Sequence, residues 1–235
     1  MKTRILSAAA LAALVAAAPV HGQATSAAAA GSVQTQASQA AMTPAKTLAL
    51  LKEGNARFAA GKSTPHDYPA QVKATAAGQY PYAAIVSCMD SRVTPELTFD
   101  CGLGDIFGLR EAGNVVDVDT LGGLEYATKV VGVKLIVVVG HSHCGAVKGA
   151  VDGVQLGNLT ELLKKIEPAM TKPVPAAKSK DDAYVQKVAE ANVRLQMKEI
   201  RDKSAVIREL LQSGKVGLAG AMYDIETGKV TWMAD

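Results

Sequence analysis

Cysteine is scarce in this sequence, which has three among 235 residues. An odd number argues against a fold held together by a framework of disulfides, because such a framework uses cysteines in pairs. In an exported protein, the oxidising compartment would tend to pair any two thiols that meet. Two interpretations therefore stay open for Cys88, Cys101 and Cys144: one bridge with a thiol left over, or thiols that bind a metal ion.

An excess of charge of one sign is also missing. The chain has 25 Lys and Arg against 22 Asp and Glu, a formal net charge of +3, and its basic residues are spread among acidic ones. A nucleic-acid-binding domain typically concentrates basic residues on one face or along one helix. The sequence therefore indicates no nucleic-acid partner. It also contains no internal repeat.

A long hydrophobic run occurs only at the start of the chain. Lys2 and Arg4 precede an Ala-rich apolar stretch at 5–20, which is followed by Gly22-Gln23-Ala24. This order is typical of a secretory signal peptide, and the stretch is weaker than the roughly 20 strongly apolar residues of a membrane anchor. We therefore predict a signal peptide at 1–24 and a mature protein without a membrane segment. Its location would be the periplasm, if the source is a Gram-negative bacterium.

Composition separates a short segment from the rest of the mature chain. Residues 25–42 are rich in Ala, Gln and Ser and carry no charge, which predicts a flexible tether. Residues 43–235 are enough for one well-formed hydrophobic core. We expect them to form a single domain.

Apolar runs alternate with helical stretches along this domain. The runs 83–88, 104–110 and 134–140 predict buried strands, and 216–233 predicts two strands joined by a turn. This alternation is typical of an α/β fold with a mainly parallel central sheet and flanking helices. Helices are predicted from Thr43 to Gly61, from Thr94, at 121–132, at 158–170 and at 181–213.

Two short motifs, C-M-D-S-R at 88–92 and H-S-H-C at 141–144, each lie where a predicted strand ends. Ligands of parallel sheets collect at the carboxyl ends of strands, so the motifs can face one crevice. Cys88, His141 and Cys144 would then form a Cys₂His set, and three protein ligands are typical of a catalytic zinc ion. The alternatives are a hydrogen-bonded structural histidine, and cysteines that are apolar or disulfide-bonded. We expect the side chain of His143 to point elsewhere.

Asp90 and Arg92 have a specific use beside a metal. A carboxylate there can accept a hydrogen bond from a reacting water or hydroxide and orient it, and an arginine can hold that carboxylate ionised. The alternative is an ordinary surface ion pair.

The pair of motifs C-x-D-S-R and G-H-x-x-C-G, at this separation, resembles the β-class carbonic anhydrases. LLKEGNARF at 50–58, GDIFGLREAGN at 104–114 and GAMYDIETGKVTW at 220–232 are similar to further parts of that family. The resemblance implies an enzyme that interconverts carbon dioxide and bicarbonate with one Zn²⁺ per chain. It also implies a C-terminal antiparallel addition to the sheet, and a homodimer or tetramer with active sites at the dimer interface.

The resemblance also implies roles for individual residues. Cys88, His141 and Cys144 match the zinc ligands, and Asp90 and Arg92 match a catalytic dyad that orients a zinc-bound hydroxide for attack on carbon dioxide. Four further positions match substrate-binding residues, of which the two aromatic ones could instead belong to the core: Gln79, Phe107, Tyr126 and Gly145.

One position departs from part of the family. Members with an inhibitory bicarbonate site carry tryptophan three residues before the first zinc cysteine, and this sequence has Ile85. We therefore predict that Asp90 pairs with Arg92 and that no bicarbonate-regulated switch operates there. Two alternative functions stay open, a carbonyl sulfide or carbon disulfide hydrolase and a non-catalytic exported zinc-binding protein. Cys101 is expected to be a buried thiol near the sheet, with pairing to a second chain as the alternative.

Overall fold

A five-stranded sheet forms the centre of the protein, in a computed structural model that describes residues 32–234. The strand order is β2-β1-β3-β4-β5; neighbouring strands are parallel except for β5, which is antiparallel to β4. The predicted α/β fold with a C-terminal antiparallel addition is confirmed. The predicted signal peptide at 1–24 lies outside the described residues. The strands are β1 (Ala83–Ser87), β2 (Ile106–Arg110), β3 (Leu135–His141), β4 (Gly217–Tyr223) and β5 (Val230–Trp232).

The two central strands are apolar along their whole length because both faces of the sheet are covered. Every residue of β1 and β3 is buried, as expected for parallel strands between two helical layers. Alternate side chains of these strands pack on opposite faces of the sheet. Val86 and Val138 belong to one apolar cluster, whereas Ile85 and Val137 belong to the other. Continuous hydrophobic runs in the sequence thus correspond to buried central strands.

Nine α-helices and several shorter turns surround the sheet in the described part of the chain. The last predicted helical stretch is interrupted at Ser204, whose Oγ accepts a hydrogen bond from the Ile207 amide at 3.1 Å and caps a new helix. The helix after Asp117 continues as a π-helix at Tyr126–Val131. The α-helices are α1 (Gln36–Ala40), α2 (Pro44–Ala59), α3 (Tyr68–Thr75), α4 (Pro95–Thr98), α5 (Val118–Glu125), α6 (Gly145–Asp152), α7 (Gly157–Lys164), α8 (Asp182–Lys203) and α9 (Ala205–Gln212).

The described part of the predicted tether differs from a free segment. Residues 36–40 form α1, and Gln39 is buried with its Nε2 donating to the Pro81 carbonyl oxygen at 2.7 Å. Met42 packs against an apolar cluster of the domain. A segment without an apolar face can dock in this way because one amide side chain satisfies a backbone carbonyl. Residues 25–31 lie outside the described residues.

The parallel arrangement brings the two sequence motifs to one edge of the sheet. Ser87 is paired with Val139 in the register of β1 and β3, so Cys88 and His141 follow at neighbouring strand ends. None of the helices within residues 32–234 has both the length and the apolar character needed to cross a membrane.

Candidate metal centre

Three potential metal ligands converge where β1 and β3 end. Cys88 directly follows β1, His141 is the last residue of β3, and Cys144 is the N-cap residue of α6. Their ligand atoms all lie within 4.8 Å of one another, and the three residues are 4%, 1% and 2% exposed. All three cysteines of the chain are free thiols. The structure therefore brings together the two thiols and the imidazole that the motifs predict.

The imidazole of His141 is oriented for metal binding through Nε2. Its Nδ1 lies 2.9 Å from the carbonyl oxygen of Ser142; because that oxygen can only accept, Nδ1 carries the proton and Nε2 has the free lone pair. Nε2 is buried and has no hydrogen-bond partner among the described residues. An unsatisfied buried polar atom costs about 1–3 kcal/mol. A metal ion coordinated by Nε2 would satisfy this atom, so the site fits a zinc ion held by sulfur and nitrogen.

Two backbone amides point at the sulfur of Cys88. The amides of Asp90 and Gly113 lie 3.4 Å and 3.3 Å from Sγ. A hydrogen bond from Cys144, whose effect exceeds the opposing effect of burial, and the bonds from these two amides lower the pKa of the Cys88 thiol to about 4. Its hydrogen bond with Cys88 and its burial raise the pKa of Cys144. The pair thus favours one thiolate beside one thiol, and thiolates are the sulfur ligands that zinc requires.

Glycine is required at position 113. Its φ is +67°, a left-handed conformation that L side chains rarely adopt, and a Cβ there would lie 2.6 Å from Cδ1 of Ile166. Its carbonyl oxygen accepts a hydrogen bond from Nδ2 of Asn192 at 2.8 Å. On the next turn of α8, Gln196 accepts from the Val116 amide at 2.9 Å and donates to Asn192. Two buried amide side chains of α8 therefore hold the loop that directs the Gly113 amide toward Cys88.

Glycine is also required directly before His141. A Cβ on Gly140 would lie 2.7 Å from Cγ2 of Val193 and 2.8 Å from Sδ of Met222. Contacts this short do not occur in well-packed proteins, so a side chain here would displace α8 or β3. Helix α8, which carries Val193, thus packs directly against the backbone that presents His141.

Asp90 and Arg92 form a two-point ion pair beside this cluster. Nε of Arg92 donates to Oδ1 of Asp90 at 2.9 Å, and Nη2 donates to Oδ2 at 2.7 Å. These hydrogen bonds hold the pKa of Asp90 well below its usual range. Oδ2 of Asp90 also lies 3.9 Å from Nε2 of His141. The carboxylate is therefore ionised, oriented and next to the atom that would bind the metal.

Arg110 is a structural part of the site that sequence analysis did not identify. It is the last residue of β2, and its guanidinium donates to the carbonyl oxygens of Cys88 at 3.2 Å and Asp90 at 2.8 Å. The sequence did contain a signal for this role: Arg110 is a cation at the carboxyl end of β2, the strand next to the one that precedes Cys88. Arg110 fixes the backbone of the loop that carries both the first ligand and the carboxylate.

His143 lies outside the cluster, as predicted. Its backbone has a φ of +55°, and its ring faces Oδ1 of Asp182 at 3.7 Å and Oε1 of Glu226 at 3.6 Å. The left-handed conformation turns this side chain away from the two ligands on either side of it in the sequence.

The four predicted substrate-binding residues are partly or fully exposed. Phe107 and Tyr126 face each other, with ring centroids 6.2 Å apart, and Tyr126 is 50% exposed. Gly145 is the first residue of α6 and has open space where a Cβ would be. Gln79 is exposed on the loop between α3 and β1. The structure brings the two aromatic residues together, and the substrate-binding roles of all four stay predictions.

Ile85 and Cys101 are both buried in the apolar cluster that contains Leu51. Ile85 is fully buried in the middle of β1. Sγ of Cys101 lies 3.3 Å from the hydroxyl of Tyr82, and burial raises the pKa of this thiol to about 12. The expectation of a buried thiol near the sheet is confirmed. The prediction about a bicarbonate switch stays a prediction.

Residues 83–230 match the family model described as carbonic anhydrase. Carbonic anhydrase 2 of Mycobacterium tuberculosis is 37% identical over 185 residues, covering 76% of this chain and 87% of that protein. A carbonic anhydrase of Mycolicibacterium smegmatis is 36% identical over 187 residues, covering 77% and 88%.

Solved structures show the same likeness. A structure described among two tetrameric β-carbonic anhydrases from Sordaria macrospora has a TM-score of 0.66 at 28% identity, covering 80% of this chain and 98% of that one. A β-carbonic anhydrase of Aspergillus fumigatus has a TM-score of 0.65 at 26% identity, covering 81% and 91%.

Proposed function

Because this chain belongs to the β-class carbonic anhydrases, we propose that it catalyses the reversible hydration of carbon dioxide to bicarbonate and a proton. In this proposal one zinc ion is held by Sγ of Cys88, Nε2 of His141 and Sγ of Cys144. The observation that carries it is the buried Nε2, which has no partner in the described chain and lies with two thiols within 4.8 Å.

A zinc ion bound there supplies Lewis-acid chemistry that makes water nucleophilic near neutral pH. Asp90 accepts a hydrogen bond from the reacting oxygen and aims its lone pair at the substrate. Arg92 keeps the carboxylate ionised through its two donors, so that Asp90 remains an acceptor. Three protein ligands with an oriented carboxylate beside them suit a catalytic zinc better than a structural zinc, which usually has four protein ligands.

The aromatic pair and the adjacent loops provide the substrate cleft in this proposal. Phe107 and Tyr126 offer an apolar surface for carbon dioxide. Gly145, an exposed residue at the start of α6, offers its backbone amide as a donor for bicarbonate. Gln79 would hydrogen-bond bicarbonate from the second chain of a dimer. The proton formed in the reaction leaves to solvent or buffer.

Stopped-flow hydration of carbon dioxide, combined with metal analysis, tests the main proposal. We expect one zinc ion per chain and hydration at pH 8 that is abolished by removing the metal and restored by adding zinc. Carbonyl sulfide and carbon disulfide are assayed in parallel. Zinc-loaded protein that hydrates no carbon dioxide, or that turns over only the sulfur compounds, would contradict the proposal.

We further propose that the protein is a dimer or a multiple of dimers, joined at the β2 side of the sheet. Strand β2 is at an edge of the sheet, so within residues 32–234 one of its sides has no strand partner. On the helix after Asp117, Val118, Tyr126 and Val130 recur at multiples of four residues and are 77%, 50% and 71% exposed. Tyr126 contacts Phe107 of β2, so the stripe and the strand edge adjoin. An apolar surface of this kind is typical of an interface.

Aspartate at both Val118 and Val130 should separate the subunits, because it places charges in the apolar stripe. Analytical ultracentrifugation should show monomers, and hydration activity should fall because the proposed Gln79 contact crosses the interface. Leu156→Asp is the control, since Leu156 is 67% exposed and lies on the loop between α6 and α7. A double variant that stays oligomeric would place the interface elsewhere.

Export to the periplasm is proposed from the first 24 residues alone, which have the basic, apolar and small-residue regions of a signal peptide. Cell fractionation and N-terminal sequencing of the protein from its source test this. An intact Met1 on cytoplasmic protein would contradict it.

A further inference from the structure

A cavity of about 610 Å³ lies between α2 and β5 and contains none of the metal-site residues. Its volume is within the range of small-molecule sites, roughly 300–1,000 Å³. One face of α2 and the short strand β5, with the residue before it, line the cavity. The lining includes Lys52, Asn55, Ala56, Ala59, Lys229 and Trp232.

The apolar part of this cavity is built around Trp232. The indole packs against Phe99, with ring centroids 6.0 Å apart, which fixes the plane of the ring. Across the cavity, Ala56 and Ala59 have short side chains and therefore leave the space open. The result is a slot with one flat aromatic wall.

The distance between α2 and β5 is fixed by one buried side chain. Asn55 is 6% exposed; its Nδ2 donates to the carbonyl oxygens of Thr98 at 3.1 Å and Gly228 at 2.9 Å, and its Oδ1 accepts from the Val230 amide at 2.8 Å. Because these bonds join the helix to both neighbouring segments, the cavity is formed before any ligand enters. A preformed site costs less ordering entropy on binding.

The charge at the cavity is positive and uncompensated. Two lysines line it and no carboxylate does, within the part of the chain that the structure describes. Nζ of Lys52 lies 5.7 Å from the centroid of the Trp232 ring. Neither Lys52 nor Lys229 forms an ion pair with any carboxylate of residues 32–234. An anion with an apolar body would complement two such cations beside an apolar slot.

We propose that this cavity is a binding site for a small carboxylate with a flat, apolar body. The apolar body occupies the slot beside Trp232, and the carboxylate is held by Lys52 and Lys229. The proposal does not depend on the metal centre or on the proposed hydration activity, since neither the three proposed zinc ligands nor Asp90 lines this cavity.

The indole N–H of Trp232 gives a direct test because the chain has one tryptophan. In ¹H–¹⁵N spectra of the zinc-loaded protein, titration with 2-naphthoate should shift this single indole signal in a saturable way. The neutral 2-naphthamide should bind more weakly. Lys52→Gln and Lys229→Gln should each raise the Kd for 2-naphthoate about two- to fivefold, the effect expected of an exposed charge contact. Ala56→Leu should abolish the shift by filling the slot.

Lys73→Gln is the matched control, since Lys73 is an exposed lysine on α3 that does not line the cavity, and it should leave the Kd unchanged. The substituted lysines and Ala56 are exposed, so the fold should persist and is checked by circular dichroism. No saturable shift at millimolar 2-naphthoate would overturn the proposal. Equal binding of the amide, or a Kd insensitive to both cavity lysines, would overturn it as well. A Kd that neither cavity lysine affects is the result expected if 2-naphthoate binds at the zinc ion instead.

Discussion

Cys144→Ser is expected to yield a folded protein that has lost its zinc ion and its hydration activity. A serine hydroxyl does not replace a thiolate as a zinc ligand, and the remaining ligands, Cys88 and His141, cannot hold the ion alone. Loss of the metal removes several kcal/mol of transition-state stabilisation, which corresponds to a fall in kcat/KM of about 10³-fold or more. Metal analysis and stopped-flow hydration measure the two effects.

Cys101→Ser is the matched control for this experiment. Cys101 is as buried as Cys144, but its sulfur contacts the Tyr82 hydroxyl rather than the metal ligands. Cys101→Ser should therefore keep the zinc ion and most of the activity. If both variants lost zinc equally, the loss would reflect damage to the fold, and the assignment of Cys144 as a ligand would fail. Full zinc content in Cys144→Ser would also refute that assignment.

Asp90→Asn is expected to separate metal binding from catalysis. The amide has nearly the same shape as the carboxylate, so the loop should keep its conformation, and Cys88, His141 and Cys144 are untouched. The amide nitrogen cannot accept a hydrogen bond from the reacting oxygen, and the contact with Arg92 loses its charge. A positioned acid–base group contributes about 10²–10⁴-fold, and we expect kcat/KM to fall by about 10²–10³-fold at full zinc content.

Asp202→Asn is a matched control because Asp202 also pairs with a cation, Lys198, but on the exposed surface of α8. Its activity should equal that of the wild type. Retained activity in Asp90→Asn would exclude the proposed role of the carboxylate. Loss of zinc from Asp90→Asn would instead give Asp90 a part in holding the metal.

The strands and the cluster of two thiols and one imidazole could be predicted because their signals are local. Buried central strands are continuous apolar runs, and the polar residues that follow them stand at one edge of a parallel sheet. The predicted second strand begins at Ile106 rather than at residue 104, and the predicted helix 181–213 breaks at Ser204. Such boundaries depend on capping hydrogen bonds more than on periodicity.

The supports of the site could not be predicted because they join distant parts of the chain. Asn192 donates to Gly113, which lies 79 residues earlier in the sequence. On a helix, a buried asparagine and a glutamine four residues later give no signal that distinguishes them from an exposed polar pair. Arg110 is likewise an ordinary arginine at the end of a strand when only the sequence is considered. Its role follows from its hydrogen bonds to two backbone carbonyl oxygens, which only the structure shows. Sequence patterns thus identified the residues of the candidate site, whereas the residues that position them could be found only in the structure.

Because Gly140 has no side chain, metal affinity at the proposed zinc site depends on the whole α8 layer. Since Val193 and Met222 contact the backbone directly before His141, the distance between helix and sheet determines where the imidazole lies relative to the two sulfur atoms. Substitutions in α8 that change side-chain volume would therefore alter how strongly the protein retains zinc, although α8 contributes no ligand. By the same coupling, bound zinc should make α8 slower to exchange its amide hydrogens.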